Sequence, residues 1–255
     1  MNILRIAIIS DIHSNLEALQ KALEIIEQKT VDKVICLGDI VGYGANPKQC
    51  LDLTRKISQH IIMGNHDQAA ADLSYTQDFT KYAKTAVFWT NKILSQPEKE
   101  FLRSLPFTIE IENINFVHSS LFKPQEWFYI TNHLEAGINF RYFDTPLCFI
   151  GHSHVSEIFC EDRASKKELV NQVITEEINY FSCKYKLLRE KKYIINVGSV
   201  GQPRDRDWRL SFGIFDTHNW TYENIRAEYD VETTAKKIRK AILPEFLAKR
   251  LFIGK

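Results

Sequence analysis

The chain has 255 residues, of which 44% are hydrophobic and 25% charged, and its 33 basic and 32 acidic residues leave a net charge of +1. This composition is typical of a soluble globular protein, and the balanced charge provides no general attraction to nucleic acid or to membrane surfaces. No apolar run approaches the roughly 18 residues of a membrane-spanning helix. We therefore expect neither a membrane nor a nucleic-acid partner, and any anionic substrate must be captured by local features.

The first part of the chain alternates between strand-like and helix-like segments. Three short apolar runs, "RIAIIS", "KVICLG" and "HIIMG", predict strands, and the first of them indicates a strand rather than a signal peptide at the N-terminus. Two segments with helical period separate these runs. Ser14 and Glu17 stand at capping-box spacing before the first segment, and Asn46 with Pro47 predicts the start of the second. This alternation predicts a parallel sheet covered by helices.

The pattern changes after about residue 107, where strand-like runs such as "FTIEI", "INFVH", "LCFI" and "KYIINVG" follow one another closely. Helical segments near 133–143 and 231–250 interrupt or close this half. We expect a second, largely antiparallel sheet. Residues 163–192 carry many charges and a weak pattern, which indicates an exposed insertion that forms a hairpin or a helix.

The two halves are expected to form one domain over residues 1–255, because no Pro-, Gly- or Ser-rich linker separates them. The cysteines are odd in number and scattered, without any CxxC spacing. We therefore expect free thiols in a reducing, cytoplasmic compartment rather than a disulfide framework. The five cysteines are Cys36, Cys50, Cys148, Cys160 and Cys183.

Polar side chains follow five of the predicted strands. They are Asp11 and His13, then Asp39, then Asn65 with His66 and Asp67, then His118, and finally His152 with His154. The carboxyl ends of parallel strands gather at one edge of a sheet, so these side chains are expected to converge. Residues i and i+2 of an extended strand end point the same way, and each D-x-H or H-x-H pair could therefore reach one site.

The residue types in these clusters suit a pair of metal ions. Imidazole and carboxylate bind zinc, manganese, iron, cobalt or nickel, and a carboxylate with two oxygens, either Asp39 or Asp11, could bridge two ions. Alone, a D-x-H is typical of a helix entry and "GNHD" of a turn. Together, however, five of the eight histidines occupy such motifs. The other three, His60, His133 and His218, are expected on the surface or in the core.

The motifs D-x-H, GD, GNHD, H and GHSH, in this order and followed by "NVGSVGQPRDRDW", resemble the calcineurin-like metallophosphoesterase superfamily, particularly its smaller bacterial and archaeal members. The resemblance implies an α/β fold, a four-layer αββα sandwich of two mixed β-sheets flanked by helices. It also implies hydrolysis of a phosphomonoester or phosphodiester by a hydroxide that bridges two divalent transition-metal ions, Mn, Fe, Zn, Ni or Co.

The resemblance further implies a role for each polar residue. His66 would be the catalytic histidine, which stabilises charge on the phosphoryl group or protonates the leaving oxygen. The seven implied metal ligands are Asp11, His13 and His154 for the first ion, Asp39 shared between both, and Asn65, His118 and His152 for the second.

The sequence departs from part of this superfamily after the second strand. Its protein Ser/Thr phosphatases and symmetrical dinucleoside tetraphosphatases have GD-x-x-D-R-G, whereas this chain has "GDIVGYG". Gly42 thus replaces an aspartate that would orient the catalytic histidine, and Tyr43 replaces an arginine that would clamp phosphate. Asp67 is expected to orient His66 instead.

Phosphate capture is expected from the "GQPRDRDWR" loop, where Arg204, Arg206 and Arg209 are candidates, with pairing to neighbouring aspartates as the alternative. Tyr43 and Arg204 are thus the candidate substrate-binding residues. Four aromatic residues could stack on a nucleobase or serve packing: Tyr43, Trp127, Phe128 and Trp208.

The substrate is expected to be a small phosphorylated molecule or a phosphoprotein. Two other functions remain open. A non-catalytic scaffold of the same fold would usually lack the catalytic histidine, which is present here. A nuclease would need a basic groove, which a net charge of +1 does not indicate.

Overall fold

The computed structural model describes residues 4–58, 60–162 and 174–255. The described strands are β1 (Arg5–Ile9), β2 (Lys33–Cys36), β3 (His60–Ile61), β4 (Thr108–Ile111), β5 (Ile114–Val117), β6 (Leu147–Ile150), β7 (Ser156–Asp162), β8 (Ile174–Ile178), β9 (Ser182–Lys186), β10 (Lys191–Val197), β11 (Leu210–Asp216) and β12 (Thr221–Ala227). The described α-helices are α1 (Leu16–Gln28), α2 (Pro47–Ile57), α3 (Asn65–Ala71), α4 (Lys81–Ile93), α5 (Gln96–Arg103), α6 (His133–Asn139), α7 (Val231–Lys240) and α8 (Glu245–Lys249). Among the described helices, none has the length and apolar character needed to cross a bilayer.

The strands form two mixed sheets, and helices flank them, which confirms the predicted fold class. The first sheet has seven strands in the order β3-β2-β1-β11-β12-β9-β8. Its strands β1, β2 and β3 are parallel, as the alternation of strands and helices predicted. Strand β11 pairs antiparallel with β1 and carries the sheet on into the C-terminal half of the chain.

The second sheet has five strands in the order β4-β5-β6-β10-β7. The expectation that it would be largely antiparallel was wrong. Strands β5, β6 and β10 run parallel, and only the outer strands β4 and β7 pair antiparallel. The parallel pairing of β5 with β6 is possible because the segment between them, which contains α6, is long enough for a crossover. The runs "RLSFGIFD" and "WTYENIRAEYD", which were expected in the second sheet, form β11 and β12 of the first.

The first strand shows why the sandwich forms, since both of its faces are buried. Ile6 and Ile8 point between the two sheets and pack in one apolar cluster with Phe149 of β6. Ala7 and Ile9 point the other way, into the cluster that α1 and α2 cover. A strand buried on both faces requires a continuous apolar run, which is what "IAII" provides. Truncation of a side chain as deeply buried as Phe149 is expected to cost about 3–5 kcal/mol.

The N-terminus of α1 differs from the predicted capping box. Asn15, not Ser14, is the N-cap, and its side-chain oxygen accepts a hydrogen bond from the backbone N–H of Ala18 at 3.2 Å. Ser14 instead has a φ of 56° and lies within the turn that follows β1. The tertiary structure overrides the local pattern here, because this turn also has to place the side chain of His13.

The described part of the expected insertion at 163–192 forms a hairpin at one edge of the first sheet. Strand β8 is exposed along its whole length, and β9, half-buried, pairs with β12. From Leu187 onward the chain is largely buried again, and Lys191 begins β10. Residues 163–173 lie outside the described part of the chain.

Candidate metal centre

The polar residues that follow five strands come together at one end of the sandwich. Asp11 follows β1, Asp39 follows β2, and Asn65 and His66 form the first turn of α3 just beyond β3. His118 follows β5, while His152 and His154 follow β6. The first three elements belong to one sheet and the last two to the other, so the site lies where the carboxyl ends of strands from both sheets meet.

The backbone at most of these positions is left-handed rather than extended. The φ angles are 54° at Asp11, 48° at His13, 52° at Asp39, 66° at His152 and 61° at His154. Residues other than glycine rarely adopt this conformation, which costs about 1–3 kcal/mol each and is found where function requires a particular geometry. The extended strand end assumed for the D-x-H and H-x-H pairs is therefore wrong, although both members of each pair do reach the site.

The first group of possible ligands consists of Asp11, His13 and His154, whose donor atoms all lie within 4.8 Å of one another. His154 Nε2 lies 3.2 Å from Asp11 Oδ1 and 3.1 Å from His13 Nε2. All three side chains are buried.

The second group consists of Asp39, His118 and His152, and Asp39 connects it with the first. Asp39 Oδ2 lies 3.5 Å from His13 Nε2 on one side and 3.5 Å from His118 Nε2 on the other. Of the two carboxylates that the sequence left open as a bridge, Asp39 is the more evenly placed, because Asp11 Oδ1 lies 3.2 Å from His154 Nε2 but 4.0 Å from His118 Nε2. His66 forms a third group with His13 and Asp39.

Each carboxylate uses one oxygen for the backbone and leaves the other for the site. Asp11 Oδ2 accepts a hydrogen bond from the N–H of His152 at 3.0 Å, and Asp39 Oδ1 accepts one from the N–H of His66 at 2.8 Å. These bonds hold the two carboxylates in place before any ion binds. They also connect each carboxylate with the loop that carries another candidate site residue.

Backbone carbonyls determine which nitrogen each histidine presents to the site. Because a carbonyl oxygen only accepts, the ring nitrogen next to it must carry the proton, and the other nitrogen presents a lone pair. His152 donates from Nε2 and therefore presents Nδ1, whereas the other three present Nε2. The pairs are His13 Nδ1 with Val41 O at 3.2 Å, His118 Nδ1 with Leu37 O at 2.8 Å, His154 Nδ1 with Gln202 O at 2.5 Å, and His152 Nε2 with Trp127 O at 2.9 Å.

The closely spaced lone pairs of the site favour a bound cation. The lone pairs of His13 Nε2 and His154 Nε2 face each other at 3.1 Å, a contact that is repulsive unless a cation or a proton lies between them. Burial lowers the pKa of both imidazoles, so a proton is held poorly. Three further buried atoms have no hydrogen-bond partner among the described residues: Asp11 Oδ1, Asn65 Oδ1 and His118 Nε2. Unpartnered oxygen and nitrogen lone pairs of this kind fit divalent transition-metal ions.

The carboxylates of the site remain charged in spite of their burial. Burial alone would raise the pKa of Asp39, but nearby His118 and His66 bring it well below its usual range. Burial alone would lower the pKa of His118, but Asp39 raises it to about 9. For His152 burial dominates and lowers the pKa to about 3. The site thus holds ionised carboxylates beside neutral imidazoles of His13, His152 and His154, while His118 would have to release a proton to bind a metal ion.

His66 is held by neighbouring rings rather than by a carboxylate. Its ring centroid lies 4.4 Å from that of Tyr43, 4.7 Å from that of Phe79 and 4.8 Å from that of His13. Its Nδ1 is buried and has no hydrogen-bond partner among the described residues. Burial lowers the pKa of His66 to about 4 in this environment.

Asp67 does not orient His66, contrary to expectation. Its Oδ1 accepts a hydrogen bond from Val41 N at 3.1 Å, and its Oδ2 accepts one from Gly64 N at 3.2 Å. Asp67 therefore braces the loop after β2 against the start of α3. Burial and the nearby carboxylate of Asp39 raise the pKa of Asp67 to about 7.

Of the three candidate arginines, only Arg204 lies beside the site. Its Nη2 lies 3.4 Å from the hydroxyl of Tyr43, and its charge lowers the pKa of His154 in addition to the effect of burial. Arg209 forms an ion pair with Asp207, as the alternative interpretation held, and Arg206 is exposed.

Of the aromatic candidates, Trp127 lies beside the site and Trp208 packs elsewhere. Trp127 contributes its carbonyl to His152, and its Nε1 donates to Gln68 of α3 at 3.1 Å. Trp208 packs against Tyr229, with ring centroids 6.0 Å apart, and serves the core. The sequence analysis missed Tyr129, which stacks on His152 with centroids 4.1 Å apart and is half exposed. Nothing in its local sequence distinguishes Tyr129 from other loop tyrosines.

The remaining three histidines lie apart from the cluster. His60 belongs to β3, His133 begins α6, and His218 is exposed in the turn between β11 and β12.

Comparison with known proteins identifies the family. A profile described as the calcineurin-like phosphoesterase superfamily domain matches residues 4–220. The chain belongs to the calcineurin-like phosphoesterase superfamily. It is 41% identical over 255 residues to the uncharacterized protein MJ0912 of Methanocaldococcus jannaschii, with 98% of each chain covered.

Two solved structures share the fold of this chain. A metallophosphoesterase from Sphaerobacter thermophilus superposes with a TM-score of 0.84 at 38% identity, and the match covers 100% of both chains. The hypothetical protein PH1004 from Pyrococcus horikoshii OT3 superposes with a TM-score of 0.76 at 20% identity over 98% of each chain, which shows the shared fold alone. The resemblance noted in the sequence is thereby confirmed.

Proposed function

We propose that this protein is a metal-dependent phosphoric ester hydrolase with two divalent transition-metal ions, Mn, Fe, Zn, Ni or Co. The observation that carries the proposal is the position of Asp39 Oδ2, 3.5 Å from an imidazole nitrogen of each ligand group. One carboxylate oxygen between two sets of unpartnered lone pairs is what a shared ligand of two ions requires. Membership of the calcineurin-like phosphoesterase superfamily supports the same activity.

Seven side chains would hold the ions. The first set is Asp11, His13 and His154, the shared ligand is Asp39, and the second set is Asn65, His118 and His152. When bound, such a pair of ions supplies Lewis acidity toward the phosphoryl oxygens and makes a nucleophilic water available near neutral pH.

The residues of the chain hold the ligand atoms in position and bury them away from water. The buried donor atoms are held by backbone bonds before substrate arrives, so little reorganisation is needed at the moment of reaction. His66 stands against His13 at the edge of the group and is the candidate to donate a hydrogen bond to the phosphoryl group or to the leaving oxygen. Arg204, with Tyr43, is the candidate to bind the negative charge of the substrate.

The substrate proposed from these residues is a phosphomonoester or phosphodiester of a small molecule or of a phosphoprotein. The alternative of a non-catalytic scaffold predicts the same fold but no turnover, so measured activity separates the two. A cytoplasmic location remains a prediction from the free cysteines.

The test is turnover by protein of known metal content. Purified protein is stripped of metal, reloaded separately with Mn, Fe, Co, Ni or Zn, and assayed with p-nitrophenyl phosphate and with bis-p-nitrophenyl phosphate. We expect hydrolysis of at least one ester with at least one metal, and about two ions per chain. In Asp39→Asn we expect turnover to fall at least 100-fold, while the control Asp78→Asn, at an exposed position, stays at the wild-type rate. Absence of turnover with all five metals would contradict the proposal.

A further inference from the structure

Two arginines from distant parts of the chain approach the same tyrosine beside the metal centre. Arg204 lies in the loop after β10, and Arg250 lies in the 3-10 turn Arg250–Phe252 that follows α8. The Cζ atom of Arg204 is 5.7 Å from the ring centroid of Tyr43, and that of Arg250 is 5.9 Å from it. The Tyr43 ring in turn lies 4.6 Å from the ring of the candidate ligand His13.

Both guanidinium groups are held in place. The backbone N–H of Arg204 donates to the carbonyl of His154 at 3.1 Å, and its Nη2 donates to Gln202 Oε1 at 3.0 Å. Arg250 donates from Nε to the main-chain oxygen of Lys255, and its Cζ lies 5.2 Å from the ring of Phe246. These contacts use a side-chain amide oxygen, main-chain oxygens and an aromatic face.

No side-chain carboxylate balances the two positive charges. Among the described residues, none lies within 4.0 Å of either guanidinium, whereas Arg209, Arg226 and Arg239 each have such a partner. The Nε of Arg204 is buried and has no hydrogen-bond partner in the described part of the chain. The nearby charge of Arg204 adds to burial in lowering the pKa of Arg250 to about 10. Two half-buried like charges repel each other, and an anion between them would remove that repulsion.

We propose that Arg204, Arg250 and Tyr43 form an anion subsite that binds a second, non-scissile phosphate group of the substrate. This inference rests on the proposed function. The scissile phosphoryl group would lie at the ions, and the planar guanidinium groups would bind the second phosphate with paired N–H donors. The protein is then selective for esters with two phosphate groups, such as a sugar bisphosphate or a nucleoside bisphosphate, over their monophosphate counterparts.

The first test measures binding without turnover, on the full-length, metal-loaded protein. Isothermal titration calorimetry compares the affinity for methylphosphonate, which has one phosphonate group, with that for methylenediphosphonate, which has two. Metal content is measured after each titration. We expect the wild type to bind the diphosphonate at least tenfold more tightly. In Arg204→Gln and Arg250→Gln this preference is expected to fall at least fivefold, and Arg250→Lys, which keeps the charge but not the paired donors, should lose less of it than Arg250→Gln. The exposed variant Arg239→Gln should behave as the wild type.

The second test applies the same comparison to catalysis. The kcat/KM for fructose 1,6-bisphosphate is divided by that for fructose 6-phosphate, and the corresponding ratio is taken for adenosine 3′,5′-bisphosphate and adenosine 5′-monophosphate. We expect at least one ratio above ten in the wild type and a loss of that preference, mainly through KM, in both glutamine variants. The subsite is overturned if neither pair of ligands nor of substrates shows a preference, or if the glutamine variants keep it. Selective binding of the diphosphonate without cleavage of any ester would instead contradict the proposed hydrolase and leave the anion subsite standing.

Discussion

Gly42 lies directly against the imidazole ring of His66. A Cβ atom at Gly42 would come within 2.6 Å of His66 Nδ1, and Gly42 has a φ of 95°. The aspartate that orients the catalytic histidine elsewhere in the superfamily thus has no space at this position. In this protein the ring of His66 is positioned by packing against Gly42, Tyr43 and Phe79.

The substitution Gly42→Ala is expected to displace His66 and to lower turnover at least tenfold. The methyl group meets the His66 ring, and the left-handed backbone adds strain, so the free energy of unfolding should fall by about 1–3 kcal/mol. Kinetics, thermal melting and metal analysis check these outcomes. Metal content should stay as in the wild type, because the three atoms nearest to the added methyl group all belong to His66, which is not a proposed ligand. An unchanged turnover rate would show that the position of the His66 ring does not matter for catalysis.

Replacement of His66 separates catalysis from a scaffold role. We expect His66→Ala to lose activity at least 100-fold toward p-nitrophenyl phosphate while it binds the same number of metal ions as the wild type. His218→Ala, at an exposed position far along the chain from the motifs, is the matched control and should keep full activity. If His66→Ala bound fewer ions instead, His66 would be a metal ligand, in agreement with its membership of a group with His13 and Asp39.

Asn65 is expected to matter for metal content rather than for folding. Its Oδ1 atom is buried without a partner in the described structure, so Asn65→Ala removes an unpaired polar atom and a proposed ligand together. At limiting metal, plasma emission spectrometry should find the number of ions per chain reduced from about two toward one. The thermal stability of the metal-free variant should equal or exceed that of metal-free wild type. A variant that kept two tightly bound ions would remove Asn65 from the ligand set.

Metal binding is expected to stabilise the folded chain, because the site is assembled only in the native state. Each ion at 100 times its dissociation constant contributes about 2.7 kcal/mol to the free energy of unfolding. Titration of metal-free protein with Mn should therefore raise Tm progressively. Asp39→Asn, which lacks the shared charged oxygen, should show less than half of that rise. An equal rise in both proteins would place the bound ions elsewhere.

Thiol labelling tests the burial of the cysteines. Cys183 is the half-exposed member, and burial raises the pKa of the other four thiols. Because the thiolate is the reactive form, iodoacetamide at pH 8 should label Cys183 in the native protein and all five cysteines only after unfolding. Peptide mass spectrometry identifies the labelled residues. Rapid native labelling of Cys36 or Cys148 would be inconsistent with the described core.

The metal-centre candidates could be recognised from the sequence because each stands where an apolar strand must end. Alternating strand and helix patterns predict that β1 to β3 are parallel. Parallel strands bring Asp11, Asp39 and Asn65 to one edge of the sheet, independently of the loop conformations. His118 and His154 were identified because they follow strand-like runs and stand in the order of the superfamily's motifs. The fold class and the meeting place of the polar motifs could therefore be predicted from local sequence patterns and the family resemblance.

The contacts that hold these residues, and the side chains around them, became visible in the three-dimensional structure. Contacts between segments far apart in the chain produce three of these features. They are the left-handed turns at Asp11 and Asp39, the histidine protonation sites set by backbone carbonyls, and the hydrogen bonds by which Asp67 holds a loop. Arg250 illustrates the same limit, since it reaches Tyr43 across more than two hundred residues. Periodicity and spacing in the sequence reflect interactions between residues close together in the chain. The positions of these side chains depend on packing between distant segments, which local patterns do not predict.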